Sequence, residues 1–313
     1  MTEQNTKLGI WLMIAVTFIF AAQDGISRHL AEAYNVQMII MIRYWFFCAF
    51  AFAIAHRAPG GIKRALHTTQ PVLQFARGTL LALEVVVMII AFVKLGLVES
   101  HAIFAIYPLI VMALSGPVLG EKIGWRRWLS VGVGFIGVLV ILKPQGGVFS
   151  TAAFYPLVSA AMFAVYGVLI RYVSLKDDAP TTFLWTGISG VVVMTLVGMW
   201  YWEPMASVDW LWMIGLCFTA VLGHYLMTKA YAIAEASAIQ PFAYFQLVFG
   251  AMFGVAIFGD VIRPNVAIGA VIVVSAGVFA LLRARINANR QARANKAAQA
   301  QAAQAAAAPV SRL

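Results

Sequence analysis

Long apolar runs alternate with short polar breaks from one end of the chain almost to the other. Ten of these runs approach the roughly twenty residues that a helix needs to cross about 30 Å of hydrocarbon. They lie near Leu8–Gly25, Asn35–Ala55, Val72–Leu95, His101–Leu119, Trp125–Leu142, Ala152–Tyr172, Thr181–Trp202, Trp210–Ala232, Ile239–Phe258 and Asn265–Leu282. The breaks carry turn formers: Pro59-Gly60-Gly61, Pro144-Gln145-Gly146-Gly147, Asp177-Asp178-Ala179-Pro180 and Arg263-Pro264. The pattern predicts an all-α polytopic membrane protein with ten transmembrane helices. The first run follows Lys7 but passes through Gln23-Asp24 without a small-residue cleavage site, so it reads as a helix and not as a signal peptide.

Composition agrees, and charge adds an orientation. Of 313 residues, 62% are hydrophobic and 11% charged, where a soluble domain carries about 25% charged residues. The net charge of +10 does not point to nucleic acid, because the basic residues sit in short loops and form no continuous stripe. With the N-terminus inside, 17 lysines and arginines fall on the cytoplasmic side, Arg77 and Lys229 among them. Four fall outside (Arg28, Lys94, Lys143 and Arg263), and Arg43 lies within a span. This asymmetry predicts both termini in the cytoplasm. Residues 1–7 are then a cytoplasmic N-terminus. Residues 284–313 form a basic Ala/Gln-rich tail with no apolar face to pack, expected to be mobile. Cys48 and Cys217 both fall inside spans and read as small buried hydrophobes.

The two halves echo each other. Phe20-Ala21 with Arg28 recurs as Phe163-Ala164 with Arg171, and Ala91-Phe92 as Ala230-Tyr231. Gly120-Glu121 recurs as Gly259-Asp260, and Gly137-Val138 as Gly277-Val278. The offsets stay between 139 and 143 residues and keep their order. They predict a five-helix unit over residues 8–143 and a second over 150–283. An odd number of spans per unit inverts the second copy, an arrangement that places a solute site near the midplane and permits alternating access.

Two five-helix units, the Pro108…Gly120-Glu121…Gly137-Val138 pattern and its Gly259-Asp260…Gly269…Gly277-Val278 echo resemble the drug/metabolite transporter superfamily, in its ten-helix EamA-type branch. The resemblance covers roughly residues 8–283. Within that branch the chain looks most like the YddG-type exporters of aromatic and other neutral amino acids. It departs from the pattern in the second unit, where Leu247 stands in the place of Pro108 and Pro241 lies a turn or two earlier. The resemblance implies export of neutral, aromatic or related small metabolites through a central cavity of the bacterial inner membrane. Monomer and homodimer both remain open, and no cofactor is implied.

Ionisable groups inside spans are the sharpest candidates, since each costs about 2.5–3.5 kcal/mol even on the lenient insertion scale. They are Asp24, Arg43, Glu84 and His224. At the 139-residue offset Glu84 maps to Gly223, beside His224, which suggests a solute site or a proton-handling pair. Asp24 and Arg43 either neutralise each other or face the cavity. Glu84 and Asp24 are the candidate proton carriers. His101 is placed at the outer rim and assigned to structure. Mid-span aromatics form a second layer: Tyr107, Tyr166, Trp185, Tyr244 and Phe245 would suit a zwitterion with a large neutral side chain, or else simply pack. Pro108 is the expected hinge, because it removes a backbone hydrogen bond. Trp125, Trp128, Trp200, Tyr201, Trp202 and Trp210 read as interface anchors. Gly187/Gly190, Gly250/Gly254 and Gly132/Gly137 permit close helix approach.

No Walker A loop, HExxH or paired metal-ligand spacing occurs, so neither ATP-driven pumping by this chain nor metal or enzymatic chemistry is expected. The expected partners are the lipid bilayer and a small-molecule solute. A multidrug or other metabolite exporter of the same fold is the alternative; a passive channel fits less well, for want of a continuous polar lining.

Overall fold

The computed structural model describes residues 6–120, 124–142, 151–173, 176–233, 240–283 and 286, and every expected span appears in it as helix. The helices are α1 Thr6–Ala33, α2 Val36–Arg57, the short α3 Gly61–Leu66, α4 Pro71–Leu95, α5 Leu97–Phe104 and α6 Tyr107–Leu119. Then follow α7 Trp125–Leu142, α8 Phe154–Val173, α9 Ala179–Gly198, α10 Ser207–Ile233, α11 Phe245–Phe258 and α12 Pro264–Arg283. Among the described residues there is no strand. Eight spans are long and apolar enough to cross a membrane, and the shorter apolar helices Trp128–Leu142 and Phe242–Phe258 occupy the two remaining positions. The protein is an all-helical, multi-pass membrane protein.

Three boundaries differ from expectation, each for a local reason. The first helix runs on to Ala33, because its polar end is held by partners on other helices, as shown below. The fourth span is not one helix: α5 ends at Phe104 and α6 starts at Tyr107, with Ala105 and Ile106 in a turn. The ninth opens with a 3-10 turn, Gln240–Tyr244, before α11. The expected C-terminal tail lies outside the described residues except for Ile286, as does Glu121 of the repeated Gly-acid corner. At that corner Gly120 and Gly259 both take positive φ, 70° and 67°.

Two apolar cores hold the bundle. One gathers α1, α2, α4 and α10 around Leu30, Ile39, Met41, Phe92 and Leu216; the other joins α5, α6, α7 and α12 around Ile103, Leu109, Val138 and Val273. Close contact between α2 and α9 depends on glycine: a Cβ at Gly190 would overlap the Tyr44 ring. Gly137 meets the Gly269 carbonyl in the same way, which ties α7 to α12 within the chain, whereas Gly132 faces open space and serves no packing here. The tryptophans expected as anchors are exposed at helix ends. Cys48 and Cys217 are both buried and free.

The start of α9 shows how local chemistry fixes a boundary. Asp178 is its N-cap, accepting hydrogen bonds from the Thr181 hydroxyl and backbone N–H at 2.7 and 3.0 Å. These bonds, the hydroxyl's first, hold the Asp178 carboxyl below the usual carboxylate range. Arg64 lies 3.5 Å away, but both side chains are exposed, so that pair contributes little. A carboxyl lowered on folding stabilises above its ordinary range, and that stability is lost as pH falls through the folded value. Asp178→Ala should therefore remove about 1 kcal/mol, a typical N-cap contribution. In thermal unfolding in detergent it should lower the melting temperature at neutral pH, and the difference from the parent should shrink on acidification.

Candidate functional site

The inward face of α4 carries a polar stripe: Gln74, Arg77 and Glu84 share it with Gly78, Leu81 and Met88, all buried. Across from its first half, α9 presents Thr182, Thr186 and Ser189 at helical spacing. Arg77, fully buried, donates through Nε and Nη2 to Gln74 Oε1 and through Nη2 to the Thr182 carbonyl and the Thr186 hydroxyl, at 2.8 to 3.2 Å. Its guanidinium lies 5.4 Å from the centre of the Tyr166 ring. Gln74 in turn donates to Asp177, which also accepts from Thr68. Arg77, counted from sequence as a cytoplasmic loop charge, is thus a buried helix-to-helix clamp. Its spacing of seven from Glu84 on one helical face was the available signal.

Deeper in the bundle the second half of the stripe behaves differently. Glu84 is 4% exposed and accepts a short hydrogen bond from Ser159 of α8. Arg43 of α2 is 7% exposed, and among the described residues it makes neither a hydrogen bond nor an ion pair. Its charge reaches Glu84, His224 and Cys217. His224 of α10 lies between the rings of Phe20 and Phe47, with centroids 5.2 and 5.7 Å away. The Asp24–Arg43 bridge, one of the two alternatives read from sequence, does not form among the described residues. Asp24 accepts from Gln246 Nε2 at 3.1 Å and stands 3.4 Å from His101 Nε2, because α11 packs along α1 and brings Gln246 to it, and His101 of α5 is turned inward to the same carboxylate. The guanidinium of Arg43 is left facing the middle of the bundle.

The breaks in the fourth and ninth spans meet around a cavity of about 20 Å³, room for about one water molecule. Its lining includes His101, Phe104, Tyr107, Tyr244 and Gln246. Pro108 belongs to the first turn of α6, where its missing N–H costs nothing, so it starts a new helix where the sequence suggested a kink in a continuous one. For the same reason it offers no N–H to the Phe104 carbonyl, four residues back. Tyr107 packs on the Phe104 and Phe163 rings. The Tyr244 hydroxyl is buried without a hydrogen-bond partner, close against Gly277.

At the predicted outer face Asp260 joins three elements. Its Oδ1 accepts from Arg28 Nη1 at 2.8 Å, and its Oδ2 from the N–H groups of Leu97 and Val98, at 2.7 and 3.3 Å, at the start of α5. Arg28 also pairs with Glu32 and lies 4.2 Å from the centre of the Phe258 ring. Gly96 is required here twice over, since its φ is 82° and a Cβ would overlap the Asp260 carboxylate. Tyr34–Asp209 and Asn35–Glu203 hydrogen bonds add to the closure of this face.

Of the residues singled out from sequence, the fold gathers Arg43, Glu84 and His224 into one region. It places Asp24 and Tyr244 with Tyr107 around the helix breaks, and Tyr166 and Trp185 beside the Arg77 clamp. Phe245 does not join them: it is 40% exposed and stacks on Phe242 at the surface. His101 is not a rim residue; at 3% exposed it is turned inward between Asp24 and Gly250. Asp260 and Arg77 were missed as polar partners.

A family model described as the EamA-like transporter family matches the chain twice, over residues 7–143 and 150–282. A protein of Rickettsia prowazekii named as an S-adenosylmethionine uptake transporter is 27% identical, with 87% of this chain and 91% of that protein aligned. A riboflavin transporter of Vibrio cholerae is 25% identical over 86% of this chain and 91% of its own. The pseudopaline exporter CntI of Pseudomonas aeruginosa is 23% identical over 89% and 97%. A solved crystal structure superposes with a TM-score of 0.59 at 15% identity, over 90% of this chain and 97% of the other, a likeness of fold. These relatives carry solutes across membranes and are not enzymes. The chain belongs to the EamA-like transporter family, a branch of the drug/metabolite transporters.

Proposed function

We propose that this protein carries small zwitterionic metabolites, amino acids or molecules containing an α-amino-carboxylate group, across the bacterial inner membrane by alternating access. The carrying observation is Arg43: a guanidinium in mid-bundle, without an ion pair or hydrogen bond among the described residues, within electrostatic reach of the Glu84 carboxyl. A buried charge without a partner is costly, and a solute carboxylate is the partner that guanidinium geometry suits. Glu84 would face the solute's ammonium group, with Phe20, Phe47 and His224 offering ring surfaces for its side chain. S-adenosylmethionine, the solute of one relative, has such an amino-carboxylate end, and the expected aromatic amino acids share it. The double family match and the positive-φ glycines at Gly120 and Gly259 support the reading of two inverted five-helix units, as do the paired helix breaks. Alternating access makes direction a matter of gradients, so the export expected from resemblance and uptake use one machinery. A second reading, a neutral ring solute like riboflavin, draws on the ring surfaces and on another relative.

Counterflow in proteoliposomes separates the two. Tryptophan, phenylalanine and S-adenosylmethionine should exchange, and tryptamine and riboflavin should not. Arg43→Gln should reduce exchange by at least about tenfold, the loss of one charge-assisted hydrogen bond, with Arg43→Lys intermediate. Tryptamine exchanging as fast as tryptophan would sink the carboxylate reading.

Closure of the predicted outer face by Asp260 gives a further expectation. In a background with Cys48 and Cys217 replaced by alanine, Ser100→Cys lies buried beneath this latch. Adding Asp260→Asn or Arg28→Gln should raise its labelling by a membrane-impermeant maleimide from that face by about tenfold, or about 1.4 kcal/mol in the opening equilibrium. Unchanged labelling in both would show that the latch does not govern access.

A further inference from the structure

The Asp24–His101 contact is distinct from the Arg43–Glu84 pair and demands its own explanation. His101 is 3% exposed, its Nε2 is buried without a hydrogen bond, and Asp24 Oδ2 is 3.4 Å away. Gln246 turns its amide N–H toward the same carboxylate oxygen. His101 and Gln246, the two groups that meet Asp24, both line the water-sized cavity between the helix breaks, and so does Tyr244, whose buried hydroxyl also lacks a partner. With Tyr107, four polar side chains thus border a space that holds about one water molecule, and His101 and Tyr244 each carry a hydrogen-bonding atom unused among the described residues.

We propose that Asp24, His101 and this cavity form a proton-binding site, separate from the Arg43–Glu84 site and coupled to it through the field of Asp24. The proton resides on the Asp24 carboxylate, beside His101 Nε2, and takes the pair from net −1 to neutral. A net charge inside the bilayer is costly, so removing it makes the pair a strong lever on conformation. An alkali cation fits the site less well. It needs several oxygen ligands converging on one point, whereas here an amide N–H and an imidazole nitrogen face a single carboxylate.

The groups around the pair are few. On α1 itself Arg28 is engaged by Asp260 and Glu32. Glu84 of α4 feels the Asp24 charge, and Arg43 of α2 acts on Glu84. On α5, Glu99 pairs with Arg263 at the predicted outer face. His224 and Cys217 of α10 lie with Arg43, Tyr244 borders the cavity, and α11 has no ionisable residue. Protonation of the pair therefore removes a negative charge that Glu84 feels, and alters how strongly the Arg43–Glu84 region holds a zwitterion. This coupling rests on the proposed function; the proton site itself does not.

The test needs no transported solute. Infrared difference spectra of the full chain in lipid nanodiscs, taken across a pH titration, should contain a carboxyl C=O component that is absent in Asp24→Asn and retained in Glu84→Gln. His101→Gln should move its midpoint, because it removes the imidazole that stands beside that carboxylate. Gln246→Leu keeps both titrating groups and should also move it, so the test survives if Asp24→Asn fails to fold. Spectra that titrate identically in the parent, His101→Gln and Gln246→Leu would overturn the proposal. So would a midpoint that follows replacement of potassium by sodium, which would mark a cation site. Failure of the tryptophan exchange experiment would remove the coupling and leave the infrared result standing.

Discussion

A backbone carbonyl in hydrocarbon has no water to turn to, and each one left without a donor costs several kcal/mol. This constraint bears hardest on the fourth span, where Pro108 supplies no N–H to Phe104. The chain responds by ending α5 at Phe104 and starting α6 at Tyr107, with Ala105 and Ile106 in the turn. The ninth span, which has Pro241 in place of a matching mid-span proline, breaks at Tyr244 by passing from a 3-10 turn into α11. The two breaks face each other, and irregular backbone at membrane depth is tolerated where it is buried in protein or borders a cavity. The small cavity, the inward-turned His101 and the approach of Gln246 to Asp24 all follow from this junction.

Two buried arginines show how satisfaction, and not residue type, separates structure from function. Arg77 is completely buried and spends Nε and Nη2 on Gln74, Thr182 and Thr186, so it locks α4 to α9, while its Nη1 makes no hydrogen bond among the described residues. Arg43 is nearly as buried and spends none within the described residues. Both incur the desolvation penalty of a charge in the membrane, and among the described residues Arg77 recovers part of it through protein hydrogen bonds. At the predicted outer face Asp260 shows a third solution. One carboxylate offsets a cation and caps a helix, joining α1, α5 and the end of α11 through a few bonds that can be exchanged for water.

Much of the fold was legible along the chain. Apolar runs of helical length placed the helices, since a continuous helix satisfies its own backbone in a bilayer. The intramembrane positions of Arg43 and Glu84 were visible because charge is so rare there. Less legible were residues whose role depends on direction around a helix. Arg77 looked like one more loop cation, because it lies near the start of α4, and its seven-residue spacing from Glu84 is one pattern among many. His101 and Asp260 were assigned to helix ends, since their partners are more than 70 residues away in the chain. Phe245 was grouped with its neighbour Tyr244 as a mid-span aromatic, yet it points outward, because adjacent residues at the entry to a helix face different ways.

By itself, then, the sequence determined the class of the protein, the order of its apolar helices, and which side chains are too costly in hydrocarbon to be idle. Those follow from local composition, because the bilayer penalises every residue by its own chemistry. Only the tertiary structure decided the pairings: Asp24 with Gln246 and His101 and not with Arg43, Glu84 with Ser159, and Asp260 with Arg28 and the start of α5. Pairing is a property of helix rotation and of which helices pack together. A run of apolar residues with no strong polar face leaves that rotation undetermined until the neighbouring helices close around it.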